Sequence, residues 1–480
     1  MVVLGVSSLL VRVRDVRLAA WSDTSVMTAQ QQQQLAELCY KQRDLGLFDE
    51  IRASQRQFCG HDVLSDWNGQ DPAASTEVNV YNVAGGVKAT VFRNLELNLV
   101  NVGIAQPISD ISQDGGDHDP RFVFTDKIVH CQCQPFATSK HGSRFSPNAW
   151  AVWEAILTDV DTRVDPRSTV CDSAHARLQS GPEHGDRLVE FTHPVIVIAR
   201  RDDHNPFFQI SSTLNAWFMA QALGWDLQQT QVVYLDAGYP SPVDALRQKL
   251  LAPNHDIVTG QSLMGKRVHF QGNVMIAPEE GSGPMMQHLN DAEPCHASQL
   301  FKQFREVALT TMRVPPSKPV PLDGEAVVIT VITRRPYKGR TVQRVWVNED
   351  EVLDKMRDEY KHMNVVFQSV DFVDLTIAQQ MHATANSDIV IGMHGAGMVN
   401  VLWTRPETLV IEIFPKRRRR WGYRNLCQFV GCDWHEFRGG TDIGYFWTRA
   451  NAKDKEIPYD EWRTFFDPLF QARYRAIKSR

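Results

Sequence analysis

The sequence predicts an α/β protein with two doubly wound, Rossmann-like domains facing a cleft, preceded by an irregular region with a small β element. Three observations carry this expectation. Short apolar runs alternate with helical periodicity from Pro194 to Ile276, and again from Ala326 to Phe437. A proline-rich stretch, Pro315-Pro316-Ser317-Lys318-Pro319-Val320-Pro321, separates the two series. The second series contains Ser387-Asp388-Ile389-Val390-Ile391-Gly392-Met393-His394-Gly395-Ala396-Gly397-Met398, a buried-strand pattern that stops at glycines and turns directly into a helix. A chain of 480 residues is also too long for one ordinary core.

In chain order, residues 1–190 read as irregular. Gln30 to Gln34 form a polar run, taken as a solvated linker, that leads into a helix at Leu35-Ala36-Glu37-Leu38. Val78 to Ile104 alternate and are rich in Val, Asn and Leu, as in a small sheet. Residues 107–190 read as long loops around a helix near Trp150–Leu157. The first α/β domain covers 191–320: strand 195–199, a helix carrying Leu214, Trp217, Phe218 and Ala222, strand 231–236, a helix near 242–251, and short strands at Arg267–Phe270 and Val274–Ile276. The second covers 321–445. Its strands are expected at Ala326–Thr333, Val365–Val370, Asp388–Ile391, Leu409–Phe414 and Trp434–Phe437, with helices at Asn348–Tyr360, Leu375–Ala385, Met398–Trp403 and Tyr423–Phe429. Residues 446–480 complete the chain as a helical tail.

Composition narrows the class. Hydrophobic content of 43% with 22% charged residues describes a folded globular protein. A net charge of −5 gives no global argument for nucleic acid or an anionic membrane. The eight cysteines are scattered, too sparse for a disulfide scaffold, though their number permits full pairing. Cys131-x-Cys133 and Cys427-x4-Cys432 lack a partner pair at zinc spacing, so no metal site is expected. No stretch reaches the roughly 18 apolar residues of a spanning helix. Met1 to Val11 are apolar, but no basic region precedes them, so a cleaved signal is a poor fit; either the protein is soluble, or its real N-terminus, with room for a membrane anchor, is missing from this sequence. There is no Asn-x-Ser/Thr sequon.

The glycine run is where chemistry concentrates. A strand that ends in glycines before a helix presents bare N–H groups and a positive dipole end to an anion. Strand C-terminal edges of one sheet share a rim, so Arg334, at the end of the first strand of the second domain, can face Gly392, Gly395 and Gly397. Guanidinium groups bind phosphate bidentately. Arg340 is placed with this set, whereas Arg335 and Arg344 fit solvated surface as well as the pocket. His394, between two residues of the turn, is expected to stack on or hydrogen-bond to a nucleotide. Glu412, an acid inside the apolar run Thr408 to Phe414, is expected to meet a ribose diol or a cation. The basic run Lys416 to Arg420 reads as a solvated helix entry with a share in phosphate binding open to it. Two Asp-x-Asp pairs, Asp117-His118-Asp119 and Asp159-Val160-Asp161, follow no buried strand and are not taken as metal sites. A hydrolase is disfavoured because no Gly-x-Ser-x-Gly elbow accompanies His394-Gly395-Ala396-Gly397.

Val390 to Met398, then Pro406 and Val410-Ile411-Glu412-Ile413, resembles the signature of family 61 glycosyltransferases. That family includes the plant core β1,2-xylosyltransferase of N-glycans and the EGF-domain O-GlcNAc transferase. The xylosyltransferase branch looks closest, with echoes in Gln231 to Asp236, in Val274-Met275-Ile276-Ala277-Pro278, and in Arg334-Arg335 with Asn348 to Val352. The resemblance covers roughly residues 190–440. It implies a GT-B architecture and an inverting, metal-independent transfer of a sugar, xylose first, from a UDP-sugar to a protein-linked glycan, without another cofactor. It also implies a Golgi or endoplasmic reticulum lumenal setting. It carries Arg334, His394, Gly395, Gly397 and Glu412 over as donor-site positions. The family's Asn-x-x-His-x-x-x-Asp becomes Asn205-Pro206-Phe207-Phe208-Gln209-Ile210-Ser211-Ser212 here, so Asn205 is kept while Phe208 and Ser212 replace the His and the Asp. An inverting transfer needs a general base near the acceptor hydroxyl. Asp202, Asp203 and His204 are the candidates, with Asp202 at the place of an acid in the xylosyltransferase pattern. A catalytically silent member that only binds sugar nucleotides is the competing expectation.

Overall fold

The computed structural model describes residues 27–59, 76–83, 86–105, 121–123, 129–130, 188–200, 205–291, 293–315, 326–335, 342–444 and 453–479. The helix expected near Trp150–Leu157, both Asp-x-Asp pairs, most of the proline-rich hinge, Arg340, and the triplet Asp202, Asp203 and His204 lie outside these residues. The described chain is mixed α/β, with two larger sheets.

The chain enters through α1 (Ala29–Arg43) and α2 (Gly46–Ala53). The glutamines expected to form a linker are part of α1. Thr28 caps the helix through Gln31 N–H, and the Gln31 side chain returns to the Thr28 N–H, a reciprocal box that starts the helix ahead of the run. Glutamine costs little in a helix, so nothing then stops propagation.

Strands β1 (Arg56–Cys59), β2 (Glu77–Val83) and β3 (Val87–Asn98) form an antiparallel meander. Short pieces follow at β4 (Gly103–Ala105), β5 (Arg121–Val123) and β6 (Val129–His130). Then come β7 (Leu188–Phe191), β8 (Val195–Ile198), α3 (Pro206–Ala222), β9 (Gln231–Tyr234), α4 (Asp244–Leu251), α5 (Gly260–Leu263) and β10 (Arg267–Ile276). The sheet order is β1-β2-β3-β10-β8-β9, with β6 beside β3 and β7 beside β10. Strands β10, β8 and β9 are parallel, and β3 runs antiparallel to β10.

This corrects two expectations. Strands β2 and β3 do not form a separate small sheet but continue the sheet of β10, while β4 pairs with β5 apart from it. A three-stranded parallel core leaves β10 with an unpaired edge, and β3 covers it along eight paired positions from Arg267 to Ile276. The two short strands expected at 267–276 are one strand with a register shift between Phe270 and Asn273. Its first half pairs with β7 and its second with β8. Gly272 sits at the shift, where a Cβ would come within 3.2 Å of the His193 carbonyl oxygen.

Helix α6 (Gln299–Thr311) leads to the second sheet: β11 (Val327–Thr333), α7 (Glu349–Glu359), β12 (Val365–Asp371), α8 (Ile377–Ala385), β13 (Ile389–Met393), a 3₁₀ helix at Ala396–Trp403, β14 (Leu409–Ile413), α9 (Gly422–Val430) and β15 (Asp433–Phe437). All five strands are parallel, in the order β12-β11-β13-β14-β15. The segment after the glycines is therefore 3₁₀ rather than the expected α-helix. Asn400 inside it donates to the Gly397 carbonyl and to Gln380 Oε1, which competes with the regular helical pattern. A hairpin of β16 (Thr441–Ile443) and β17 (Asp454–Glu456) precedes α10 (Tyr459–Lys478).

Both faces of the second sheet are covered. On one face α7 and α10 bury Val352, Leu353, Met356, Trp462, Phe466 and Phe470 against Ile329, Val331, Ile389 and Ile391. The other face packs the 3₁₀ helix, α8 and α9 into a core shared with α3 and α6. Phe301 stacks on Phe429 at 4.6 Å, and Phe304 lies 6.0 Å from Trp403, so helices of the first unit seal the inner face of the second sheet. Two disulfides occur among the described residues, Cys39–Cys295 and Cys427–Cys432. The first ties the entry helix to the segment before α6.

Candidate functional site

The order of the second sheet reverses between β11 and β13, and the crevice beyond the carboxyl ends of two such strands is where open α/β sheets bind ligands. Arg334 leaves the end of β11, and His394 with Gly395 leaves the end of β13. These two exits touch. A Cβ on Gly395 would overlap Arg334 Nη1 and come within 2.6 Å of its Cζ. Gly395 has φ near 172°, extended backbone open to any residue, so glycine is needed here for space alone. Arg334 is also held by its Nε, which donates to the Gln343 carbonyl at 3.2 Å.

Gly392 and Gly397 play other parts. Gly392 is buried in β13, where a Cβ would meet Met398 Sδ at 2.7 Å, so its absence lets the 3₁₀ helix fold back on the strand. At Gly397 a Cβ would find only ordinary contacts with Ile332 and Phe372.

His394 is 9% exposed and fixed on all sides. Its N–H donates to the Ile413 carbonyl at 2.8 Å, and its own carbonyl accepts from Arg344 Nε at 2.7 Å. Its ring stacks on Phe414 at 4.8 Å and tilts against Tyr423 at 5.5 Å. Nδ1 lies 2.5 Å from Glu412 Oε1, and Glu412 Oε2 accepts from Trp434 Nε1 at 2.9 Å. Glu412 is fully buried with both oxygens engaged. The expectation that it reaches a ribose diol is therefore corrected: it lies beneath the histidine, not in the crevice.

The charge state of this pair follows from its surroundings. Burial pushes the Glu412 carboxyl up to about 8, the Trp434 hydrogen bond only partly opposing it. Burial, then the charges of Arg344, Arg418, Arg334 and Arg420, hold the His394 imidazole well below its ordinary value. At neutral pH the contact is thus a hydrogen bond between a carboxylic acid and a neutral imidazole, one proton shared between them. Unfolded, the same two groups carry that one proton between about pH 4.5 and 6.5 and lose it above. Folded, they keep it to about pH 8. From pH 6.5 to 8 the folded state binds the extra proton, so stability falls as pH rises, by up to about 1.4 kcal/mol per unit. Denaturant titrations of the wild type and Glu412→Gln across this window check it: the downward slope is expected to be shallower in the variant.

Four guanidinium groups, those of Arg334, Arg344, Arg418 and Arg420, bear on the charge of the histidine. Arg344 is driven down to about 10 by burial and then by Arg334, and Arg418 to about 10 by burial and then by Arg420 and Arg344. Arg418 Nε is buried without a hydrogen-bond partner. Mutual repulsion and an unmet buried donor both point to an anion that completes the site. Of the basic run 416–420, residues 416, 417 and 419 are exposed while 418 and 420 are half-buried, and Arg420 Nη1 donates to Asn290 Oδ1 at 2.7 Å. The run is thus partly withdrawn from solvent, which leaves open to it the share in phosphate binding that its place allows. Sequence reasoning left Arg344 open between surface and pocket and did not single out Tyr423 or Trp434. The alternation within 416–420 after a buried strand was the one signal available for Arg418 and Arg420. Arg335 instead makes an exposed ion pair with Asp350.

The first unit meets this site through α3. Phe207 packs edge-on against Tyr423 at 5.5 Å. Asn205, expected to contact a donor, spends its side-chain oxygen on the Phe207 N–H as the cap of α3. Asn205→Ala is expected to lower stability by about 1 kcal/mol, read from the denaturation midpoint. Ser212 is buried and accepts from Arg247 Nη2 at 2.6 Å. Phe208 is half-buried against the shared core. Arg200, just before the candidate base triplet, is fastened to Asp236 at 2.8 Å and lies over the Tyr234 ring at 3.9 Å. That fixes the chain at the exit of β8.

Residues 284–411 match the family model described as Glycosyltransferase 61. They contain Arg334, Arg344, His394 and all three glycines of the run. This segment belongs to glycosyltransferase family 61. Curated relatives are similar over the same kind of stretch. The EGF domain-specific O-linked N-acetylglucosamine transferase of Drosophila melanogaster is 30% identical over 153 residues, which is 31% of this chain and 26% of that protein. The protein of the same name from Gallus gallus is 26% identical over 162 residues, 34% of this chain and 28% of that protein. The chain therefore spans about a quarter of the length of these family 61 relatives. No helix among the described residues is long and apolar enough to cross a membrane.

Proposed function

We propose that this chain transfers a sugar from a UDP-sugar to a glycan or protein acceptor, with inversion and without a metal ion. The observation that carries the reading is the group of four guanidinium groups, Arg334, Arg344, Arg418 and Arg420, that bear on His394 at the switch point of a parallel sheet. In such a transfer the acceptor oxygen bonds to the anomeric carbon as the bond from that carbon to the diphosphate breaks. The electron pair leaves on UDP, and the hydroxyl proton passes to a base. Fixed cations beside the departing diphosphate stabilise the charge that develops there, the task a divalent metal performs elsewhere. Asp202, Asp203 and His204 are the residues we propose for the proton. The architecture we propose is GT-B, with the acceptor on the side of the first sheet. The two disulfides favour an oxidising compartment such as the Golgi or endoplasmic reticulum lumen.

Two sugars compete. The likeness of the motifs to the xylosyltransferase branch supports xylose, with an N-glycan as acceptor. The names of the relatives support N-acetylglucosamine, with protein as acceptor. A donor panel measuring hydrolysis and transfer from UDP-xylose, UDP-N-acetylglucosamine and UDP-glucose separates them. Turnover of one donor at least tenfold above the others assigns the sugar.

A second reading rests on a specific observation. Ser212 and Phe208 stand at the family's Asp and His positions, and Ser212 is committed to Arg247. A sugar-nucleotide-binding module without transferase activity would bind UDP, turn over none of the panel, and be unchanged by Asp202→Ala.

A further inference from the structure

We propose that the cavity between α9 and the segment before α6 is a second binding site, which takes a sugar ring carrying a single carboxylate. The cavity holds about 400 Å³, and its lining includes His296, Ala297, Arg424, Gln428, Asp433 and Trp434. That volume falls within the range of pockets that enclose small ligands. The cavity is distinct from the crevice described above. The turn 431–433 leads into β15, so the cavity lies toward the amino ends of the strands, whereas Arg334 and His394 leave the carboxyl ends.

The walls are held by covalent and backbone ties. Cys427–Cys432 joins the last turn of α9 to the start of β15, and Cys39–Cys295 anchors the opposite wall one residue before His296. The Ala297 N–H donates to the Gln428 carbonyl at 3.0 Å. Ala297 has φ of 55°, a left-handed conformation that a residue with a side chain adopts only where its surroundings impose it.

Arg424 supplies the charge. Its Nη1 donates to Gln428 Oε1 at 3.0 Å and to Asn425 Oδ1 at 3.4 Å, both neutral amides, and its guanidinium lies 5.8 Å from the centre of the Trp421 ring. Glu436, the acid whose charge reaches it, is itself paired with Arg438 at 2.9 Å. Among the described residues no carboxylate comes within ion-pair distance of Arg424, and its Nε and Nη2, one edge of the fork that grips a carboxylate, meet no acceptor. A half-buried cation without a counter-charge favours an anionic ligand.

The other groups set the kind of anion. Asp433 is held by His435 Nε2 at 3.1 Å, and that hydrogen bond keeps it ionised. A carboxylate in the wall repels a phosphate dianion and accepts from hydroxyls. Burial, then the charge of Arg424, holds the His296 imidazole below its ordinary value, which favours its neutral form, and Gln428 Nε2 lies 3.2 Å from its Nδ1. Trp434 spends its Nε1 on Glu412, so it offers the cavity ring surface alone, which suits the C–H face of a sugar. A guanidinium fork, a hydroxyl acceptor and an apolar platform together match a uronate ring.

Isothermal titration of D-glucuronate into the full chain at pH 7 is expected to show saturable binding in the millimolar range. D-glucose, which lacks the carboxylate, and acetate, which lacks the ring, are expected to bind at least tenfold more weakly. Arg424→Gln is expected to weaken glucuronate binding at least tenfold. Gln428→Glu sets a carboxylate against the same guanidinium and is expected to do likewise, with the melting temperature unchanged or raised. UDP is not expected to compete with glucuronate. A disaccharide ending in glucuronate that binds more tightly than glucuronate supports a glycan as the source, and equal binding supports the free sugar acid. Absence of glucuronate binding, equal binding of glucuronate and glucose, binding that survives both substitutions, or displacement of glucuronate by UDP would overturn the proposal.

Discussion

Gly395→Ala is expected to raise the Kd for UDP by about ten- to a hundredfold, with little change in thermal stability. The added methyl occupies space now taken by the Arg334 guanidinium, 2.6 Å from its Cζ. The backbone does not object, because φ near 172° suits alanine. The side chain that must yield is the flexible end of an arginine, so the cost falls on where the charge sits rather than on the fold. A charge-assisted hydrogen bond to phosphate contributes roughly 1.5–3 kcal/mol, which sets the size of the loss. Isothermal titration paired with a melting curve reads both halves of the prediction. A large fall in melting temperature with unchanged affinity would show that Gly395 serves packing, as Gly392 does against Met398.

Replacing both Cys39 and Cys295 with serine is expected to destabilise the protein by about 5 kcal/mol in chain-entropy terms. The bridge closes a loop across a sequence separation of 256, whereas Cys427–Cys432 spans 5. The same argument gives about 2 kcal/mol for the short bridge. The long bridge also lies in a well-knit place: Arg43 pairs with the buried Glu293 at 2.9 Å, and the Glu293 N–H donates to Asn425 on α9. Loss of the crosslink therefore loosens the entry helix and the seam to the second sheet together. Denaturant midpoints of the two serine double variants test the ranking, and a larger effect at Cys427–Cys432 would contradict it.

The second sheet was readable in sequence because its central strands are apolar and its strands alternate with their helices along the chain. The bounds of β11, β12 and β14 moved by a residue or so. The first sheet was less readable because its decisive contact is not local. Val87 to Asn98 alternate, which marks a strand, but nothing in the alternation names β10, some 170 residues later, as partner. Glutamines 30–34 were misread because capping chemistry at Thr28 outweighs polar composition.

The site divides the same way. Arg334 and Gly395 could be placed side by side from sequence because glycine spacing and strand ends fix them to one rim. Glu412 was placed on the right strand and given the wrong neighbour: a residue inside a five-residue buried strand faces whatever packs there, and Trp434 comes from the next strand over. Arg344, half-buried with φ of 62°, was ambiguous in sequence because an arginine in a loop carries no periodic signal.

The most direct test of the central claim is an isothermal titration of UDP into the wild-type protein at pH 7, with and without EDTA. Saturable binding in the micromolar range is expected, unchanged by EDTA and weakened at least tenfold by Arg344→Ala or Arg418→Ala. A flat titration at millimolar UDP, or binding that EDTA abolishes, would contradict it.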